Sequence, residues 1–463
     1  MSITSLNNQV ESLDLFTLRA AYLAGSITPL QVVQEALVRI RDRSSSDEWT
    51  HLVDEEALIS RAEQLARLDR SLPFYGIPFS VKDNINVAGL PTTAGCQAYQ
   101  RFPEETSPLV AEILAGGGIL MGKNTMDAFA TGVVGVRSNP HPVNPFNSDY
   151  IPGGSSSGSG VVVSKQCVTF ALGSDTGGSG RVPAALCNIV GFKPTPSALS
   201  NIGMVYANKS IDCVPIFSLS AREAEYIFTQ IVSDTLPLSE PQPLSFNGLK
   251  VAVPDTNGLE FFGDRLAEQE FLNVVEQLQD LGCVIDYIDF TSFSQAGNLL
   301  FEGGLLSERH HSVGKFIENN RGKVDPVVES IILSGADIAP NTIWNDLHAI
   351  KNHTEIAHQV LAQYDFLLTP TAGTLYRVAE VYADPIELNK RMAYYTNFSN
   401  LLNLSVIAMP ARIREDGLPF GISLTLLPHQ DQKLLTLARL WEQISGVEPG
   451  CGPFDPTQQQ TAA

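Results

Sequence analysis

GGSSSGSG at Gly153–Gly160 is followed, across the twelve-residue segment VVVSKQCVTFAL, by GSDTGGSGR at Gly173–Arg181. A Gly/Ser run alone reads equally as a flexible linker, a phosphate cradle or a tight loop holding a reactive serine. The intervening segment narrows the choice. It is apolar enough to be buried, and a linker does not alternate with core. Two Gly/Ser loops separated by one buried segment can return to the same edge of a sheet. Upstream, GIPFSVKDN (Gly76–Asn84) ends an apolar strand on Lys82. A lysine there either snorkels to water or has a chemical task. One lysine and two serine loops allow a nucleophile-and-base site. Serine is a poor nucleophile without a base. Lysine is a base only when neutral, so burial or nearby positive charge must lower its pKa. Glycines beside a serine let backbone N–H groups converge on a developing oxyanion, each such donor contributing about 3 kcal/mol.

The bulk composition bounds the alternatives. Of 463 residues, 44% are hydrophobic and 17% charged, enough for a sizeable core. The formal net charge of −20 disfavours polyanions, so no nucleic-acid partner is expected. The six cysteines (Cys96, Cys167, Cys187, Cys213, Cys283 and Cys451) are scattered without a CxxC, which fits reduced thiols and a cytoplasmic location. The start, MSITSLNNQVESLDL, lacks a basic region followed by an apolar run, so no signal peptide is expected. No uninterrupted apolar run of about 18 residues occurs, so no membrane span is expected either.

Working outward, residues 1 to about 70 read as a helical segment. Thr28-Pro29 opens one helix, with Leu30, Val33, Ala36 and Leu37 at helical spacing. A core follows from about 71 to 230. It includes the strand-like FYGIPFSVKD, and SPLVAEILAGGGILMGKN, a helix followed by a short apolar strand. Residues 233–248 are proline-rich and read as a connector. LKVAVPD, RLAEQEFLNVVEQLQDLG and CVIDYIDF then repeat a strand–helix–strand rhythm within a further α/β part, 249–445. The polar tail, 453–463, is expected to be mobile. The whole is expected to be one α/β domain.

Several motifs are excluded. GGGILMGKN (Gly116–Asn124) nearly spells a phosphate-binding loop, but Asn124 stands where a Ser or Thr should hold magnesium. A helix also precedes it and a strand follows, the reverse of the required order. Lys123 is then expected to be an ordinary lysine at a strand end. The eight histidines show no metal-ligand spacing, and neither HExxH nor G-x-S-x-G occurs.

GIPFSVKDN, PGGSSSGSG and ALGSDTGGSGRVPAALCNIVGFKP together resemble the amidase signature family of Ser-Ser-Lys amidohydrolases. That family's motifs read GxPxxxKD, PGGSSGGS and GSDTGGSIRxPA. The resemblance runs from about Leu13 to Gln443 and is most specific from Gly76 to Pro194. It implies a mixed, twisted central β-sheet covered by helices on both faces, with no metal or cofactor. Residue by residue it implies Ser179 as nucleophile, Ser155 as a bridging serine in a cis peptide, and Lys82 as terminal base. The two serines stand 24 residues apart, as in the family. The backbone N–H groups of Thr176, Gly177, Gly178 and Ser179 would form the oxyanion hole, with Asp175 and Arg181 supporting the loops.

Further stretches resemble the allophanate hydrolases within this family: NTMDAFATGVVGVRSNPHP, SIDCVPIFSLSAREAE, LEFFGD and GLPFGISL among them. Allophanate is a small urea-derived carboxylate, so its pocket needs a cation. The stretch LLFEGGLLSERH matches a family pattern LLYEGxxxxERY, which implies Arg309 as the substrate cation and puts Phe301 in place of the expected tyrosine. Losing the phenol's hydrogen bond to a charged group costs about 1.5–3 kcal/mol. Tyr394 or Tyr395 could compensate; otherwise the substrate differs. Gly132 matches a backbone contact to substrate. The sequence ends at Ala463, soon after the amidase-like region, without the additional C-terminal domain many allophanate hydrolases carry. Its step is therefore expected to occur spontaneously or on another protein, unless the substrate is a related small amide such as biuret or guanylurea. The resemblance also implies a homodimer acting on a small-molecule amide. Two readings of another kind remain: one component of a glutamine-dependent tRNA amidotransferase, and a non-catalytic binding relative.

Overall fold

The computed structural model describes residues 10–232 and 245–452. Its strands are β1 (Trp49–Leu52), β2 (Pro78–Lys82), β3 (Ile119–Asn124), β4 (Phe170–Leu172), β5 (Val190–Lys193), β6 (Ile216–Ser218), β7 (Lys250–Pro254), β8 (Val284–Ile288), β9 (Phe366–Pro370), β10 (Ser405–Ile413) and β11 (Pro419–Leu426). Among the described residues they form one 11-stranded sheet in the order β1-β3-β2-β4-β6-β5-β10-β11-β9-β7-β8. Pairing is mixed. β3-β2-β4 and β9-β7-β8 run parallel, and the central pairs are antiparallel. The expected α/β class and mixed sheet are thus present.

Alternate strand residues point to opposite faces, and each face meets different helices. Val251 and Val253 of β7 join an apolar cluster with Phe271 and Val274 of the helix Arg265–Asp280. Ala252, between them, joins another with Ala357 and Leu361 of the helix Pro340–Leu361. Phe366, Leu367 and Leu368 of β9 alternate in the same way.

The helix Pro29–Arg43 starts where Thr28 and Gln31 form a reciprocal capping box. The N-terminal segment is not wholly helical, however. β1 interrupts it by pairing antiparallel with β3, where Trp49 finds a buried place. The expected connector falls, up to residue 244, outside the described residues, as does the expected tail from 453.

The topology places the two Gly/Ser loops. β2 and β4 are parallel neighbours, with Val81 opposite Leu172, so Lys82 and the loop beginning at Gly173 leave the sheet at the same edge. Only Gly153–Ser156 of the first run is loop; Ser157–Ser164 is a helix running back toward β4.

Candidate active site

Lys82 is fully buried, and among the described residues its Nζ bonds only to serine oxygens: Ser155 Oγ at 2.7 Å, Ser174 Oγ at 2.8 Å and Ser174 O at 3.4 Å. A neutral amine has two N–H donors and one lone pair. The two Ser174 oxygens accept the former, and the Ser155 O–H can donate to the latter. Burial lowers the Lys82 pKa from 10.5 to about 7, against the opposing pull of Asp127, Asp175 and Asp212. The Gly154–Ser155 peptide is cis. The Ser155 carbonyl accepts from the Asp127 N–H at 3.0 Å. The Asp127 carboxylate in turn accepts from Gly135 N at 2.9 Å and Arg137 N at 2.8 Å. Sequence reasoning singles out neither Ser174 nor Asp127. Ser174 stands inside a recognisable motif, but nothing in its spacing distinguishes it from its neighbours.

The second loop is organised around Asp175. Its carboxylate receives Arg181 Nε at 3.0 Å and Nη2 at 2.8 Å, Gly178 N at 2.9 Å and Gly180 N at 2.8 Å. Burial alone would raise the Asp175 pKa, but the Arg181 guanidinium and these donors hold it at about 2. Arg181 also donates to Thr396 O and Asn400 Oδ1. The expected set of four oxyanion donors is corrected here: the Gly178 N–H is spent on Asp175. The amides of Thr176, Gly177 and Ser179 donate to no group among the described residues. The Ser179 hydroxyl lies 3.5 Å from the Gly132 carbonyl, and no Ser179–Ser155 hydrogen bond forms among the described residues.

Arg309 is buried in the helix Leu305–Asn319, not solvated. It donates Nε at 3.2 Å and Nη2 at 2.9 Å to the same Asn208 Oδ1. Asn208 N donates to Asp212 Oδ2 at 3.2 Å, and Asp212 Oδ1 accepts from Thr176 Oγ1 at 2.6 Å. Arg309 is thereby tied to the Ser179 loop. Phe301 is half-buried against two apolar clusters. Neither tyrosine offers its hydroxyl in its place: Tyr395 donates to Glu260 O at 3.0 Å and accepts from Glu260 N at 2.6 Å, and Tyr394 donates to Gly258 O at 3.2 Å. Lys123 is also corrected. In the sheet interior its tip cannot reach water, so it is buried against Asp83 at 3.2 Å and donates to Thr92 Oγ1 at 2.6 Å. Among the described residues, no three His, Cys, Asp or Glu side chains converge as a metal site requires.

The amidase family model matches residues 31–435. The chain belongs to the amidase family. Among its relatives in that family, the urea amidolyase of Saccharomyces cerevisiae is 36% identical over 407 residues, covering 85% of this chain and 22% of that protein. This chain thus spans less than a quarter of that relative's length. The solved allophanate hydrolase of Kluyveromyces lactis superposes with a TM-score of 0.84 at 32% identity, covering 92% of this chain and 72% of the other. A glutamyl-tRNA(Gln) amidotransferase component from Exiguobacterium sibiricum is 30% identical, over 91% of this chain and 95% of its own.

Proposed function

We propose that the protein hydrolyses the terminal amide of a small urea-derived carboxylate, allophanate first, releasing ammonia through a seryl acyl-enzyme. The observation that carries the chemistry is a buried Lys82, partly neutral near pH 7, whose hydrogen bonds among the described residues all go to serine oxygens. As Ser179 Oγ bonds to the amide carbon, its proton passes to Ser155 and the Ser155 proton to Lys82. The carbonyl oxygen becomes an oxyanion held by the free amides of Thr176, Gly177 and Ser179. The C–N bond then breaks, with the proton returning through Ser155 to the departing ammonia. Water, deprotonated by the same relay, releases the acyl group. Substrate choice rests on Arg309, whose guanidinium is buried without an ion pair among the described residues, and on the similarity to allophanate hydrolase and urea amidolyase.

Ammonia release from allophanate, biuret, guanylurea, malonamate and glutamine tests this, with Ser179→Ala as control. Allophanate should give the highest kcat/KM, and Ser179→Ala should lose at least about 1,000-fold. Equal inactivity of parent and variant on all simple amides would refute a stand-alone hydrolase. A preference for biuret or guanylurea would keep the reaction class and change the substrate. The similarity to the glutamyl-tRNA(Gln) amidotransferase component supports a second reading, which predicts that glutamine outperforms the urea-derived compounds.

A further inference from the structure

Arg309 has two acidic neighbours and pairs with neither. Glu308, beside it in the helix, has its carboxylate turned onto Ser210, accepting from Ser210 N at 2.9 Å and Ser210 Oγ at 2.6 Å. Asp212 accepts from Thr176 Oγ1, from Ala207 N at 2.8 Å and from Asn208 N. The guanidinium's hydrogen-bond acceptor is instead one neutral amide oxygen, Asn208 Oδ1, which takes Nε and Nη2. The Asn208 amide cannot be turned around without loss, because Nδ2 donates to Leu305 O at 2.7 Å. That bond fixes which atom faces Arg309. Nη1 has no hydrogen-bond partner among the described residues. A buried charge usually carries an ion-pair partner, since desolvation otherwise goes unbalanced. Here no carboxylate lies within ion-pair distance among the described residues, and a carboxylate is the group that fits a guanidinium fork.

We propose that Asn208 is a positioning residue that sets charge selectivity: by holding Arg309 through a neutral oxygen, it leaves the positive charge free for a substrate carboxylate. This rests on the reading of Arg309 as the substrate cation. With phenylalanine at position 301, Asn208 supplies the polar contact that orients the guanidinium. Through its backbone N–H and Asp212 it also ties that cation to Thr176, next to the nucleophile loop.

The test compares malonamate with malonamide, which differ by one charge at nearly constant shape. In the full chain, Asn208→Asp places a carboxylate against Arg309. It should raise KM for malonamate by about tenfold or more, the scale of one charged hydrogen bond. Its loss on malonamide should be smaller, so that the malonamate-to-malonamide ratio of kcat/KM falls. Asn208→Ala, which removes the holder without adding charge, should raise KM for malonamate less and lower the malonamate-to-malonamide ratio of kcat/KM less. It keeps the test available should the aspartate variant melt early. Arg309→Met separates the two claims. If it leaves the malonamate-to-malonamide ratio unchanged, Arg309 is not the substrate cation and both claims fall. If it lowers the ratio while well-folded Asn208→Asp and Asn208→Ala do not, only the role of Asn208 is overturned.

Discussion

At the residue scale, Lys82 as the proposed base would set the pH behaviour. The proposed relay needs its neutral form, so kcat/KM should fall with decreasing pH below about 7, approaching tenfold per unit, and level off above it. A flat profile between pH 5.5 and 8 would remove Lys82 as the base. The same shift has a stability signature. Between pH 7 and 10.5 the unfolded chain holds a proton that the folded one lacks, so stability gains with pH across that window. The cost of burying the charge is therefore full below about 7 and fades toward 10.5. The melting temperature of Lys82→Met relative to the parent should accordingly be higher at pH 7 than at pH 10. The proposed roles of Lys82, Ser155 and Ser179 come from motif and spacing, and of these the structure brings Lys82 and Ser155 into hydrogen-bond contact. Ser174 is not legible in the sequence: it touches Lys82 only because β2 and β4 run parallel, and register is a property of the sheet. Asn208 is hidden for a similar reason, lying 101 residues from the arginine it holds.

At the element scale, the loop from Gly173 to Arg181 depends on Asp175 and on the backbone of Gly178. Gly178 has φ +130°, and a Cβ there would run into Thr396 Oγ1. The strain alone is about 1–3 kcal/mol. Gly178→Ala should lower the urea midpoint correspondingly and reduce kcat, since Ser179 follows directly. An alanine variant as stable as the parent would show that the loop is not held this way. Like β1, the helix Ser157–Ser164 is an element that the sequence does not disclose. SGSGVVVS has poor intrinsic helix propensity, glycine worst of all. It is helical because every residue of it is buried, a tertiary effect that local preference does not report. By contrast, the helix Pro29–Arg43 carries its own cap and periodicity, and strand β7 its own apolar run, so both are readable locally.

At the scale of the whole molecule, a net charge of −20 surrounds a site proposed to bind an anion. The surface field repels such a substrate over a distance that salt shortens, from about 30 Å at 0.01 M to about 8 Å at 0.15 M. Raising salt across that range should lower KM for malonamate by about twofold and leave malonamide unchanged. An increase for malonamate would mean that an attractive surface path outweighs the net charge. The mixed sheet is foreseeable from the strand–helix rhythm together with the family motifs. Its strand order is not, since β1 joins the far edge through β3 and β6 precedes β5 in space.

The hold of Asp175 on alternate amides has a kinetic consequence. From Thr176 to Gly180, the amides fall into two classes that differ in how readily they exchange a proton for a deuteron from solvent. Gly178 and Gly180 are locked to a carboxylate, whereas Thr176, Gly177 and Ser179 wait only for water to enter. One short peptide therefore carries two isotope-exchange clocks. The slow one reports the opening of the Asp175–Arg181 scaffold, and the fast one reports how often the site admits solvent.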